Sequence, residues 1–295
     1  MAEVTEATRR HASVRLRGGV EGSVAYLRAG RGTPVVLIHG VGMNADVWGP
    51  QIRVLRAHHD VIAMDMPGHG ESTLPPDPAY LEDYGAAVIG LLDALGIGRA
   101  ALVGHSMGAL VAMQVALRHP ARVTRLVAMN AVFCRPPDLK RAVEARADEL
   151  DLKGVAASVE PTLARWFGDP VPDRLVEACA LARTALEQVR PEGYRLTYRL
   201  FASSDAVFAD ALRQLAPPAL FFTAEHDANS SPAMSLEMAA RAPNGQAEIL
   251  AGARHMMALT HPDAVNRSLL AFLAEAQAPA ASIERDPIKL TQLDR

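Results

Sequence analysis

A serine with a glycine two residues before it and two residues after it lies in the segment Gly104-His-Ser106-Met-Gly108. The apolar run 100–103 before it predicts a buried strand, and apolar residues at helical spacing follow it until His119-Pro120. A serine at the tip of so sharp a strand-to-helix turn points out of the sheet, and its neighbours must be nearly free of side chains. The pattern therefore predicts that Ser106 is a nucleophile.

This chemistry needs a base and a carboxylate as well, because a serine hydroxyl is a poor nucleophile at neutral pH. His255 follows the last strand of the predicted core, and Asp227 follows the strand before it. Loops after the carboxyl ends of strands are where open α/β sheets form their sites. We therefore predict His255 as the general base and Asp227 as the residue that orients it. Other candidates fit these positions less well: His105, His261, Glu225, Asp205 and Asp210.

A glycine-rich loop, which begins at His39 and ends at Asn44, follows the apolar strand predicted over 34–38. Backbone N–H groups turned inward at such a loop stabilise the negative charge that develops on an attacked carbonyl oxygen. The predicted donors are the N–H of Val41 in this loop and the N–H of Met107 at the start of the helix after Ser106. The alternative for the loop is an ordinary strand-to-helix turn.

The elements that must position these groups alternate between strand and helix along the chain. This order predicts an α/β fold with a mostly parallel sheet and helices on both faces. An antiparallel pair of edge strands is predicted between residues 12 and 29, before the first parallel strand. The predicted parallel strands are 34–38, 59–65, 100–103, 123–129, 219–223 and 247–250.

One long segment interrupts the alternation. Between Asn130 and Pro217 the sequence shows helical patterns separated by Pro or Gly, with no clear strand. We therefore predict a helical lid over residues 133–205, inserted into a core made of 1–132 and 206–276. The remainder, 277–295, mixes Ala, Pro and charges and is predicted to be a flexible or loosely docked tail.

Composition excludes several classes of function. The chain has 295 residues with 30 Lys and Arg against 33 Asp and Glu, and no basic block indicates a nucleic-acid partner. No apolar run approaches the ~18 residues of a membrane span, and the start of the chain is too charged for a signal peptide. Cys134 and Cys179 lack the spacing of a metal or redox pair. We therefore expect a cytoplasmic protein without metal or cofactor, and leave open whether it forms a homodimer.

Taken together, the motifs resemble those of the α/β-hydrolase superfamily along essentially the whole chain. The resemblance implies an eight-stranded, mostly parallel sheet with an inserted lid, and acyl transfer to water through Ser106, His255 and Asp227. The motifs that carry it are His39-Gly40-Val41-Gly42, Asp65-x-Pro67-Gly68-x-Gly70-x-Ser72, Gly104-x-Ser106-x-Gly108, Glu225-His-Asp227 and Gly252-x-x-His255.

Shorter segments are similar to enzymes of the 3-oxoadipate enol-lactonase type. They are Val47-Trp48-Gly-Pro-Gln51, Arg165-Trp166-Phe167 and Pro191-Glu-Gly193-Tyr194. This similarity implies a small-molecule ester or lactone as substrate, with Trp48, Arg165 and Trp166 as candidate substrate contacts. An arginine at this place would suit a substrate that carries a carboxylate.

Three other interpretations remain open. The same machinery could cleave an amide, thioester or C–C bond, or form a peracid from a short acid. A dehalogenase or epoxide hydrolase is disfavoured, because those enzymes carry a carboxylate where Ser106 stands. A ligand-binding homologue without turnover is disfavoured by the complete set of three catalytic residue types.

Overall fold

A single sheet of nine strands organises the computed structural model, which describes residues 8–274 and 288–291. The strand order is β1-β2-β4-β3-β5-β6-β7-β8-β9, in which β1–β2 and β2–β4 are antiparallel and all other pairs are parallel. The strands are β1 Arg10–Arg15, β2 Glu21–Ala29, β3 Thr33–Ile38, β4 His59–Met64, β5 Ala100–His105, β6 Val123–Met129, β7 Ala219–Ala224, β8 Gly245–Leu250 and β9 Ile288–Thr291.

The central strands are apolar because helices cover both faces of the sheet. Every residue of β4, β5 and β7 is buried, as continuous apolar runs in a parallel sheet require. The predicted eight strands are therefore confirmed. A ninth, β9, pairs with β8 in parallel and comes from the tail predicted over 277–295, whose other residues lie outside the described ranges.

Two groups of helices flank the sheet. Helices α1 and α10 pack together, whereas α2 packs against α3, and α3 and α8 contact the same short turn of helix at Ala211–Gln214. In residues 8–274 and 288–291, no helix is long and apolar enough to cross a bilayer. The helices that flank the sheet are α1 Gly49–Leu55, α2 Leu81–Ala94, α3 Met107–Arg118, α8 Pro232–Arg241, α9 Met257–Thr260 and α10 Pro262–Ala274.

The lid consists of four helices between β6 and β7. Its two ends meet, since the N–H of Cys134 donates to the carbonyl of Asp205 at 2.8 Å and the N–H of Arg135 donates to Asp205 Oδ2 at 2.9 Å. The side chains of Arg135 and Asp205, both 3% exposed, also form an ion pair at 3.4 Å. The helices are α4 Pro137–Lys153, α5 Val159–Phe167, α6 Val176–Gln188 and α7 Pro191–Ser203.

Candidate active site

The turn at Ser106 has the strained geometry that its glycines indicate. Ser106 has φ 55° and ψ −116°, a conformation that few residues other than glycine adopt. A Cβ on Gly104 would lie 2.1 Å from the carbonyl oxygen of Gly108, and a Cβ on Gly108 would lie 2.2 Å from that of Ile38. Only glycine fits at both places, so the packing of strand, turn and helix holds Ser106 at the carboxyl end of β5.

His255 and Asp227 form a buried pair. His255 Nδ1 lies 2.8 Å from Asp227 Oδ2, and the two residues are 3% and 5% exposed. Because a carboxylate accepts, Nδ1 carries the proton, and Nε2 of the imidazole is left with a lone pair. This is the tautomer that a general base for Ser106 requires.

Two further donors fix the carboxylate of Asp227. Asn130 Nδ2 donates to Oδ2 at 2.8 Å, and the N–H of Asn229 donates to Oδ1 at 2.8 Å. Burial acts to raise the pKa of Asp227, but these donors and His255 outweigh it and hold the pKa below its usual value. Asp227 therefore stays ionised beside the imidazole.

One cavity of about 470 Å³, its open mouth included, brings Ser106 and His255 together. Both side chains line it, and among the described residues no hydrogen bond joins them. Catalytic contacts of this kind are often looser without substrate and tighten in the complex. The other lining residues are Gly40, Val41, Met43, His105, Thr162, Arg165, Trp166, Tyr194, Tyr198, Phe201, Asn229 and Met256.

The two predicted oxyanion donors belong to the loop and the helix next to Ser106. Met107 begins α3, so its N–H has no partner within the helix, and Val41 lines the cavity in the glycine-rich loop. In residues 8–274 and 288–291, neither N–H donates to another acceptor. Within the described residues, both N–H groups are thus without a protein acceptor.

His39 orients the peptide that carries the Val41 N–H. Its Nε2 accepts from the N–H of Met66 at 2.9 Å, so its Nδ1 carries the proton and donates to the carbonyl of Gly40 at 2.7 Å. In a trans peptide the C=O and N–H point in opposite directions, so holding the Gly40 carbonyl also directs the Val41 N–H. Burial lowers the pKa of His39 to about 4, which keeps this arrangement neutral.

His69 supports the same loop from the other side. Its Nε2 accepts from the N–H of Gly42 at 3.0 Å, and its Nδ1 lies 3.2 Å from the carbonyl of Pro67. Burial lowers the pKa of His69 to about 3. The glycine-rich loop is therefore held by two buried, neutral imidazoles.

Two of the three predicted substrate contacts line the cavity. The ring of Trp166 stacks on that of His255, with 5.6 Å between centroids and 28° between planes. Arg165 donates from Nη2 to Thr162 Oγ1 at 2.8 Å, while its Nε is buried without a partner. Burial and the nearby Arg146 lower the pKa of Arg165. Both residues belong to helix α5 of the lid.

Trp48 does not line this cavity. It is 1% exposed in the core, and its Nε1 is buried without a partner. The short helical turn Ala45–Trp48 packs against β3, β4 and α9, and its apolar residues are buried. The structure thus gives Trp48 a packing position instead of the expected contact with substrate.

Other lining residues were missed by sequence reasoning. Tyr194, Tyr198 and Phe201 recur at helical spacing on α7, and this periodicity was a signal that could have placed them on one face. Asn130, which has φ 51° at the end of β6, was missed as the partner of Asp227. In the part of the chain that the structure describes, no three His, Cys, Asp or Glu side chains are grouped as metal ligands.

Comparison with known proteins shows the family of this chain. The profile of the alpha/beta hydrolase family matches residues 35–268. The chain is 39% identical to an (E)-2-((N-methylformamido)methylene)succinate hydrolase of Acinetobacter baylyi, over 84% of this chain and 93% of that one. It is 34% identical to a putative carbamate hydrolase RutD of Escherichia coli, over 81% and 86% of the two chains.

Solved structures give the same result. The enol-lactonase of Burkholderia xenovorans has a TM-score of 0.79 at 26% identity and covers 89% of this chain and all of its own. A malate-bound thermophilic esterase of Thermogutta terrifontis has a TM-score of 0.80 at 26% identity, over 90% and 98% of the two chains. The expected fold and its enol-lactonase-like relatives are confirmed, and the chain belongs to the alpha/beta hydrolase family.

Proposed function

We propose that the protein is a serine hydrolase that cleaves a small ester or lactone bearing a carboxylate, through an acyl-enzyme on Ser106. The observation that carries this proposal is one cavity that holds Ser106, His255 and the partly unpaired Arg165 together. His255, oriented by Asp227, supplies the base that the serine needs.

The reaction follows from these positions. His255 Nε2 takes the proton as Ser106 Oγ attacks the carbonyl carbon, and the negative charge that develops on the carbonyl oxygen meets the N–H groups of Val41 and Met107. Each such donor contributes about 3 kcal/mol to stabilising the transition state. The imidazolium then protonates the leaving alcohol. Water, deprotonated by His255, releases the acid and restores Ser106.

The lid favours an anionic substrate. Arg165 and Arg146 line a second cavity that shares Thr162, Tyr194 and Tyr198 with the first. Arg146 donates from Nε to the hydroxyl of Tyr198 at 3.1 Å, and within residues 8–274 and 288–291 neither arginine has a carboxylate partner. A guanidinium so placed binds a carboxylate through paired N–H donors.

A second candidate is hydrolysis of an amide on a dicarboxylic substrate. It is favoured by Arg146 and Arg165, which both line the cavity next to that of Ser106, an arrangement that suits a substrate with two carboxylates. It is also favoured by the Acinetobacter relative, whose name describes an N-acyl derivative of a succinate. Both candidates use the same Ser106 chemistry and differ in the leaving group.

A matched substrate panel tests the proposal. Neutral short-chain esters, the same esters with one or two free carboxylates, small lactones, and N-acyl aminomethylene succinates are compared by kcat/KM. We expect a carboxylated ester or lactone to be the preferred substrate. Preference for the N-acyl dicarboxylate would select the second candidate, and preference for neutral esters would contradict the role of the lid arginines.

Labelling with a fluorophosphonate tests the nucleophile separately. We expect wild type to label at Ser106 and Ser106→Ala to lose both label and turnover. Ser203→Ala, which changes an exposed serine of the lid, is the control and should keep both. Turnover that survives in Ser106→Ala would show that the reaction does not pass through this serine.

A further inference from the structure

His105, the residue before the nucleophile, contacts the loop of the base from a strand far away in sequence. Its Nε2 lies 2.9 Å from the backbone carbonyl oxygen of His255. A carbonyl only accepts, so His105 must donate from Nε2 and keep a lone pair on Nδ1. Nothing in the motif Gly-x-Ser-x-Gly requires a donor at this position.

The two ends of this hydrogen bond belong to different kinds of element, a strand and a loop. His105 is the last residue of β5, and its backbone is paired with Met129 of β6. His255 lies in the loop between β8 and α9, and in the described part of the chain no backbone N–H donates to its carbonyl. The side chain of His105 therefore attaches a loop residue to the sheet.

The rings of the two histidines also touch. Their centroids are 4.9 Å apart at 53°, and Trp166 covers another side of the His255 ring. Burial lowers the pKa of His105 to about 3, with His255 as the next contribution. A neutral His105 adds no positive charge next to the imidazolium that forms on His255 during the reaction.

We propose that His105 is a positioning residue that sets the distance between Ser106 and the imidazole of His255 by holding the His255 carbonyl. The proposal rests on the proposed function, in which His255 is the base for Ser106. Asp227 fixes the rotation of the imidazole through Nδ1, and His105 fixes the backbone from which that imidazole extends. Both constraints are needed, because misplacing a reacting group by about 1 Å costs on the order of 100-fold in rate.

Three variants separate the hydrogen bond from simple packing. His105→Phe keeps an aromatic ring but leaves the His255 carbonyl without its donor. His105→Gln replaces the donor with an amide N–H of similar reach. His226→Phe, at an exposed histidine in the loop of Asp227, is the matched control. Activity is measured with the best ester of the panel, and fluorophosphonate titration gives kcat per intact site.

We expect His105→Phe to lower kcat per titrated site about tenfold, with KM within about twofold of wild type. We expect His105→Gln to recover to within about threefold of wild type, and His226→Phe to be unchanged. If His105 served only to keep the protein folded, His105→Phe would lower the fraction of sites that the fluorophosphonate titrates and leave kcat per titrated site unchanged. Such a result, or a Gln variant as slow as the Phe variant, would overturn the proposal.

Histidine nitrogen NMR on the wild-type protein gives a readout that does not depend on the variants folding. The His105 signal is assigned by its absence in His105→Phe or, if that variant is unstable, in His105→Gln. We expect the neutral Nε2–H tautomer at pH 7, whereas the Nδ1–H tautomer or a protonated ring would overturn the proposal. If wild type shows no turnover that depends on Ser106, the proposed function fails; with an active wild type, the variants bear on His105 alone.

Discussion

The carboxyl edge of the sheet and the lid line the same cavity, but they differ in how completely their polar groups are hydrogen-bonded. At the sheet edge, Asp227 accepts three hydrogen bonds, and His39 and His69 each use both ring nitrogens. In the lid, Arg165 Nε is buried without a partner among the described residues, and Arg146 donates to the hydroxyl of Tyr198. Buried polar groups are costly to leave unpaired. The Asp227 carboxylate and the two imidazoles at the sheet edge are thus paired within the protein, whereas Arg165 in the lid keeps an unpaired donor that a ligand would pair.

The largest effect is expected at the sheet edge, from Asp227→Asn. The amide would present a donor to His255 Nδ1, which favours the imidazole tautomer that cannot accept from Ser106. We expect kcat/KM to fall by about 10⁴ with the fold retained. Asp263→Asn, at an exposed carboxylate on α10, should have no effect. A decrease below tenfold, measured on the same ester, would remove Asp227 from the mechanism.

The core and the lid also differ in their histidines, and from this difference we predict how stability depends on pH. His39, His69 and His105 are neutral because burial lowers their pKa to about 4, 3 and 3, and residues 133–205 of the lid contain no histidine. Between about pH 6.5 and pH 4, the unfolded chain binds protons at these sites and the folded core does not. Stability is therefore fully present above about pH 6.5 and is lost as the pH falls toward 4.

For each pH unit of acidification in this range, each such histidine lowers the free energy of unfolding by up to about 1.4 kcal/mol. The three histidines together therefore change the folding equilibrium constant by up to ~10³ per pH unit. Urea unfolding at pH 7.5, 6 and 5, followed by core and lid probes, measures the slope. We expect the core to lose stability with acid. Equal stability at pH 7.5 and pH 5 would show that these imidazoles accept protons in the folded state.

The sequence predicted the sheet edge better than the lid, and the physical reason lies in the residues. The turn at Ser106 is strained and needs glycines, so its geometry is visible as a local pattern. Asp227 and His255 follow strands, whose order fixes where their loops meet. The role of Asn130 was not predicted, because it depends on a hydrogen bond to Asp227, which lies 97 positions away in the sequence.

The lid gave weaker signals. A helical lid was predicted there, but which face each helix presents to the cavity depends on packing. Trp48, outside the lid, shows a similar limit: its neighbourhood resembles a substrate-binding segment, yet the ring is part of the core. Tyr198 and Phe201 line the cavity without any motif around them. Such positions depend on tertiary structure, which a single sequence does not display.

The lid is tested directly by Arg165→Ala. We expect kcat/KM for carboxylated substrates to fall about 10- to 100-fold, the value of one lost charge-assisted contact, and that for neutral esters to change less than twofold. Arg141→Ala, at an exposed lid arginine, is the matched control. An equal loss of kcat/KM on charged and neutral substrates would mean that Arg165 stabilises the lid and does not bind the substrate's carboxylate.

Trp166 joins the two regions, because it belongs to the lid and stacks on a side chain of the sheet edge. An indole face beside an imidazolium contributes about 0.5–1 kcal/mol, since the ring attracts the charge. Trp166→Leu removes that face and admits water, so we expect kcat to fall about threefold to fivefold with KM little changed.

Phe167, the next residue in the chain, provides the matched control for Trp166→Leu, which has the smallest expected effect. It is 1% exposed in the same helix and lines no part of the catalytic cavity, so Phe167→Leu should lower the melting temperature and leave kcat per titrated site unchanged. Trp166→Phe should retain most activity, because an aromatic face remains over His255. If both leucine variants reduce kcat per site equally, Trp166 acts only by packing the lid. A selective loss at Trp166 would instead show that the indole face over His255 contributes to the chemical step.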